Sequence, residues 1–271
     1  MNHVWREFVK ILFQKRTYFG WTGLFLIPWL ITIAMRFANG GHPTPEHGGH
    51  TFIGLITSNG LYVALASLLA LVSFLLPLLA AMSGSQTIAG EAENGTLRTV
   101  LMQPVSRGAV LMAKWLIANL YIALGLLILL VGALIAGGSI FGLDRMTLLT
   151  GQVIGIGNGI GLICVAYLFA LVAMATVVSL AVTFSTLTNS GLTAVAATLV
   201  LVIIMLVLGS FSVFDFLKPY LFTSHFDAWV GFFKSPVEWG PIVDALINFA
   251  VWIIGLTTVA YLVFRRKDIL S

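Results

Sequence analysis

The stretch GSQTIAGEAENGTLRTVLMQPVSR, residues 84–107, lies between two apolar runs, each long enough to cross a bilayer. Glu91, Glu93 and Arg98 are costly at bilayer depth, roughly 2.5 to 3.5 kcal/mol for a charge at the centre of a span. The segment therefore belongs outside the hydrocarbon, and the runs on either side belong within it. Residues 88–93 predict a short helix that Asn94-Gly95 breaks; Thr96 is suited to cap a second helix running to Met102, and Pro104 stops it. The expected product is a helix-turn-helix projection at one face of the membrane, shaped to meet another molecule.

The composition supports that division. Of 271 residues, 59% are hydrophobic and 9% are charged, against about a quarter charged in soluble domains. Uncharged blocks run over 17–35, 47–90, 115–143, 146–214 and 245–264. Each accommodates at least one helix of about 20 residues. The 146–214 block is too long for one crossing and is interrupted by TFSTLTNSGLT at 183–193, so it divides in two. Six spans are expected, near 18–37, 54–83, 113–137, from 151, 190–209 and 243–264. The runs lack the alternation of barrel strands and far exceed their length of about 10 residues, so the fold class is an all-α polytopic membrane protein. The first span follows Lys15 and Arg16 with no small-x-small site after it, and is expected to stay as an anchor.

The net charge of +4 is explained by where the basic residues fall. Arg6, Lys10, Lys15 and Arg16 precede span one; Arg98, Arg107 and Lys114 lie between spans two and three; Arg265, Arg266 and Lys267 follow span six. Only Arg36, Arg145, Lys218 and Lys234 occupy the alternate segments. By the positive-inside rule both termini and the 84–107 loop are expected to be cytoplasmic. No nucleic-acid partner is needed to account for the charge. The lone Cys164 excludes an intramolecular disulfide and reads as a packed thiol.

Several features carry two readings. Val4, Trp5, Phe8, Ile11 and Leu12 share one side of a helix over 3–14, which suits either an interfacial helix on the inner leaflet or a lead-in to span one. Pro28 and Pro77 predict bends in spans one and two. Loop 39–50 carries His42, His47, His50 and Glu46, a ligand set compatible with a transition metal but with no fixed helical face. Gly151, Gly155 and Gly159, and likewise Gly157 and Gly161, recur at four-residue spacing, as close helix contacts in lipid require, whether internal or between subunits. Nine of the 23 residues over 211–233 are aromatic, fitting re-entrant helices or an anchoring belt at the outer interface.

In the 84–107 stretch, Glu91, Glu93, Gly95, Thr96, Leu97, Leu101 and the run Pro104-Val105-Ser106-Arg107 resemble the membrane subunits of ABC-2 type ABC transporters, especially bacterial six-span permeases. The resemblance covers the chain in outline and implies one transmembrane domain over 1–271, of the ABC-2 (type V exporter-like) kind. It has an interfacial helix at 1–16, a cytoplasmic coupling loop at 84–110 between spans two and three, and an outer interfacial segment at 210–241. It further implies that Glu91, Glu93, Gly95, Thr96, Arg98, Pro104 and Arg107 meet a separate cytoplasmic ABC ATPase, with a second, smaller contact at 183–191. A second permease copy completes a 2+2 assembly in the inner (plasma) membrane, in contact with lipid. The chain itself has no G-x-x-x-x-G-K-[ST] loop. No catalytic residue, metal or cofactor is therefore expected in it, and ATP and Mg would be held by the partner.

The resulting expectation is a permease subunit, not itself an enzyme, exporting an amphipathic or lipid-like substrate. The alternative is an ATP-independent channel or secondary transporter. Ion-coupled carriers place ionisable groups inside their spans, and here the span interiors hold no Asp, Glu, Lys or Arg. An intramembrane enzyme would need a nucleophile and base at depth, and no His or carboxylate is placed to activate the Ser and Thr present.

Overall fold

The computed structural model describes residues 15–38, 59–95 and 106–266. Its helices are α1 (Lys15–Ala38), α2 (Leu61–Val72), α3 (Leu75–Ser85), α4 (Ala89–Glu93), α5 (Arg107–Ile140), α6 (Ile156–Leu187), α7 (Gly191–Ser210) and α8 (Trp239–Arg266). Five are long and apolar enough to cross a membrane alone; α2 and α3, bent by 59° about a short break, make a sixth. An uninterrupted apolar run satisfies its backbone groups within itself, which is the condition for crossing hydrocarbon. The 34 residues of α5 reach about 50 Å at 1.5 Å per residue, well beyond a core of about 30 Å. Its ends therefore stand clear of the hydrocarbon. The expected interfacial helix before residue 15 lies outside the described residues.

The two prolines sit in different contexts. Pro28 lies inside α1, which remains one helix, and the Thr32 hydroxyl donates to the Pro28 carbonyl at 2.6 Å. Span two does bend, but at Ser73 and Phe74, ahead of Pro77 rather than at it. Phe74 caps α3 with φ −136° and ψ −57°, so Pro77 falls in the first turn, where a missing N–H removes no helical bond. The proline starts the second half of the span instead of kinking a continuous one.

Helix α6 is the central element, packed against α3, α5, α7 and α8, while α1 lies on α5. Ala166, Ala170, Ala173, Val177 and Ala181 are buried along it, a small-residue face that lets neighbours come close. Gly84 of α3 sits where an added Cβ would be 2.7 Å from the Ala181 Cβ. Towards the other end Gly60 meets Gly137 backbone to backbone, with 2.3 Å left for a Cβ. Helices α1, α7 and α8 turn large apolar side chains outward, including Leu30, Val200 and Val251.

The link from α5 to α6 carries a short hairpin. Met146–Thr147 (β1) and Val153–Ile154 (β2) pair antiparallel, Met146 opposite Ile154, with Gly151 at φ +85° in the connection. Span four consequently starts at Ile156. The glycine series is divided accordingly: Gly151 makes the turn, Gly159 contacts Leu61 and Met146, and Gly155, Gly157 and Gly161 have open space around them. Only Gly159 makes the close internal contact anticipated for the series.

The Asn59 amide anchors the hairpin, donating to the Asp144 carbonyl at 2.7 Å and to that of Arg145 at 3.2 Å. The Tyr62 hydroxyl bonds both backbone groups of Thr147, accepting from its N–H at 2.9 Å. The aromatic segment forms 3₁₀ turns at Ser212–Leu217, Phe222–His225 and Ala228–Phe233. Phe222, Phe226, Trp229 and Phe233 are buried against the bundle, whereas Phe211, Phe216 and Tyr220 are exposed. The segment is thus half core and half surface, closing the face of the bundle opposite α4.

Candidate functional site

The polar junction forms where α3 ends. Helix α4 is five residues long, too short to be stable from propensity alone, so its position must come from its partners. The first is Ser185, on the last turn of α6. Its Oγ accepts from the Ile88 N–H at 3.1 Å and the Ala89 N–H at 2.8 Å, and it donates to the Ser85 carbonyl at 2.8 Å. One buried hydroxyl thus uses its donor and both lone pairs to satisfy donors at the start of α4 that have no helical partner. Ile88, Ala89 and Ser185 are fully buried.

The second partner is Lys114, two turns into α5. Its Nζ lies 2.5 Å from Oε1 of Glu91, with the side chains only 6% and 18% exposed. A lysine this buried is rare unless paired. The adjacent Trp115 indole donates to Ser179 of α6 at 2.8 Å, fixing that part of α5 against the central helix. The third partner is α7: Glu93 Oε2 accepts from the Gly191 N–H at 2.9 Å. Gly191 is the first residue of α7, and the carboxylate stands at the positive end of that helix dipole.

A glycine stands on either side of this last contact. A Cβ on Gly191 would lie 2.7 Å from Gln86 Nε2, and one on Gly90 would lie 2.5 Å from Gln86 Oε1. The Gln86 side chain, itself exposed, passes close to both glycines. The end of α4 is as the sequence predicts: the Asn94 amide donates to the Gly90 carbonyl at 2.7 Å, and Gly95 adopts φ +68°, a region disfavoured for residues with a Cβ. Where the chain re-enters the bundle, the Ser106 Oγ accepts from the Ala109 N–H at 3.3 Å and caps α5. Arg107 Nη1 donates to the carbonyls of Phe264 and Arg265 at 3.3 and 3.0 Å, joining the loop to the last turn of α8.

Glu91, Glu93 and Gly95 are therefore gathered on α4 and its exit, while Arg107 sits at the start of α5. Thr96, Arg98 and Pro104, and the second helix expected over 96–102, lie outside the described residues. Glu91 and Glu93, read in the sequence as charges for a partner, each have an intramolecular partner. Ile88 to Gly90 are tucked against the bundle rather than projecting from it. The expected second contact region, 183–191, is brought beside α4 by Ser185 and Gly191. Lys114, Ser185, Gln86 and Gly191 were not singled out as site residues; a lone cation near the start of a 34-residue apolar helix was the signal available for Lys114. No cluster of three His, Cys, Asp or Glu forms among the described residues, and the histidine-bearing loop 39–50 lies outside them.

The arrangement offers no nucleophile paired with a base. It is mechanical in kind: one short helix tied to the ends of three spans. Residues 11–269 match a family described as ABC-2 family transporter protein. A stretch of 100 residues is 35% identical to the probable ABC transporter permease protein NosY of Pseudomonas aeruginosa, and 105 residues are 34% identical to the protein of that name in Stutzerimonas stutzeri. Each alignment covers 37% of this chain and 36% of the relative, so the likeness to these two proteins is partial, while the family match runs almost from end to end. With its membrane-length helices and its junction at residues 84–107, the chain belongs to the ABC-2 family of transporter proteins.

Proposed function

We propose that this ABC-2 permease is the membrane half of an exporter for an amphipathic or lipid-like substrate, driven by ATP hydrolysed in a separate cytoplasmic ABC ATPase. ATP and Mg are bound by that partner. The 84–110 loop and the α6–α7 turn face it, both termini share its side of the inner membrane, and a second permease copy completes the assembly within the lipid.

The observation that carries this reading is the three-way tethering of α4. Ser185 holds it to α6, Glu91 to α5 through Lys114, and Glu93 to the start of α7. A displacement applied to α4 is thus delivered to three spans together. Coupling further requires that these contacts differ between two conformations, since a ligand shifts an equilibrium only by its differential affinity for the two states. Directional bonds to a serine hydroxyl and to a helix N-terminus are of the kind that is either made or broken.

The test is purification of the chain in mild detergent with its copurifying partners, followed by ATPase and transport assays on Gly95 variants. Gly95→Pro cannot adopt φ +68°, whereas Gly95→Asn tolerates that region and has open space around it. The expected result is a folded Gly95→Pro permease with transport uncoupled from ATP hydrolysis and a Gly95→Asn variant close to the parent. Purification without any ATPase, or full transport by Gly95→Pro, would sink the proposal.

A further inference from the structure

On the face opposite α4 the bundle contains a cavity of about 190 Å³, walled by Tyr62, Leu65 and Leu69 of α2, Leu148 of the hairpin, and Trp229 and Phe233 of the last 3₁₀ turn. Tyr62, Leu65 and Leu69 follow the three- and four-residue spacing of one helix face. Leu69 is eight residues beyond Leu61, about 12 Å along the helix. The cavity therefore runs from the hairpin along one face of α2.

Its wall is sealed at the back and open at the front. Leu65, Leu148, Trp229 and Phe233 are buried, whereas Leu69 and Leu149, which also lines it, are 38% and 48% exposed and form the mouth. The Tyr62 hydroxyl, the polar tip nearest the hairpin, is already engaged by both backbone groups of Thr147. Among the described residues, no charged side chain lines the cavity. An apolar cavity of about 150 Å³ stays dry and accepts a benzene-sized guest. A cavity slightly larger, opening between leucines, offers water little and hydrocarbon a full set of contacts.

The geometry points to a binding site for the end of one hydrocarbon chain, entering past Leu69 and Leu149 from the leaflet on that face. The occupant is an acyl or alkyl chain, belonging either to a bilayer phospholipid or to a single-chain amphiphile. The site stands on its own walls: binding needs neither ATP nor the partner, so its failure would leave the coupling proposal untouched, and the reverse.

The experiment uses the full chain in lipid nanodiscs with two photoactivatable probes, a phosphatidylcholine and a free fatty acid, each carrying a diazirine near the chain terminus. Labelled residues are located by mass spectrometry. Label should concentrate on Leu65, Leu148, Trp229 and Phe233, and fall roughly tenfold in Leu69→Trp, the loss expected when about two buried methylenes are excluded. Leu149→Trp, at the other exposed wall of the mouth, should act likewise, while Val251→Trp, on the outward face of α8, should leave the label unchanged. Labelling by both probes supports a chain from a bilayer lipid; labelling by the fatty acid alone supports a free amphiphile. Label spread evenly over outward residues such as Leu168 and Ile254, or labelling indifferent to both mouth variants, would overturn the site.

Discussion

The two ends of the bundle differ in which contacts dominate, although the hairpin end also carries the Asn59 and Tyr62 hydrogen bonds. At the junction around α4, position is set by a few directional contacts: one serine hydroxyl shared three ways, one ion pair, one carboxylate on a helix N-terminus. At the opposite end, buried aromatic residues close the bundle through broad contact, with Phe222 against Trp252 at 5.5 Å and Trp229 against Phe233 at 5.9 Å. Dispersion contacts are individually weak, of order 0.1 to 0.2 kcal/mol, and degrade gradually. A buried ion pair is lost as a unit, and losing one partner leaves the other desolvated. The difference suits one end to switching and the other to holding shape.

The sharpest way to break this comparison is Lys114→Ala. It removes the Lys114 ammonium, one of the groups that Glu91 meets, and should destabilise the protein by up to about 3 to 5 kcal/mol, seen as a drop in melting temperature in detergent. The Glu91→Gln/Lys114→Met pair should recover most of that loss while leaving transport impaired. A Lys114→Ala protein melting like the parent would mean that the ion pair does not hold the junction.

Tyr62→Phe probes the opposite end. Removing the hydroxyl leaves the Thr147 backbone groups short of a partner, at a cost of about 1 to 3 kcal/mol. Hydrogen exchange should quicken over residues 146–154 and stay unchanged over 84–95. Faster exchange at both places would show that the two ends are coupled more tightly than their chemistry suggests. The smallest expected effect is Glu93→Gln, which keeps an acceptor for Gly191 but removes the charge from the α7 dipole. It should cost about 0.3 to 1 kcal/mol and lower coupled ATPase activity with little change in the melting temperature.

The same contrast decides what the sequence could reveal. The spans and the break at Asn94-Gly95 are local properties, written in apolar run length and in a residue pair suited to a left-handed turn; the break falls where expected and the spans fall near their expected places, with span four starting at Ile156 instead of 151. Pro77 was legible as a residue, but the bend of span two falls ahead of it, at Ser73 and Phe74, because a proline in the first turn starts a helix instead of kinking one. The hairpin at 146–154 escaped because its strands are two residues long, too short for any alternation. At the junction Glu91 and Glu93 stood out by charge alone. The residues that hold α4 did not: Gly191, which meets Glu93, and Ser185, which meets the Ile88 and Ala89 N–H groups, lie almost a hundred residues further on, ordinary residues made specific only by packing.

That separation along the chain bears on how the protein is made. Glu91 can meet Lys114 as soon as 23 more residues have emerged, but its neighbour Glu93 must wait for Gly191, 98 residues later. At a synthesis rate of about 5 to 20 residues per second, α4 spends roughly 5 to 20 seconds without its last two tethers while spans three and four enter the bilayer. The element that joins the bundle's helices is thus among the last parts of the nascent chain to settle.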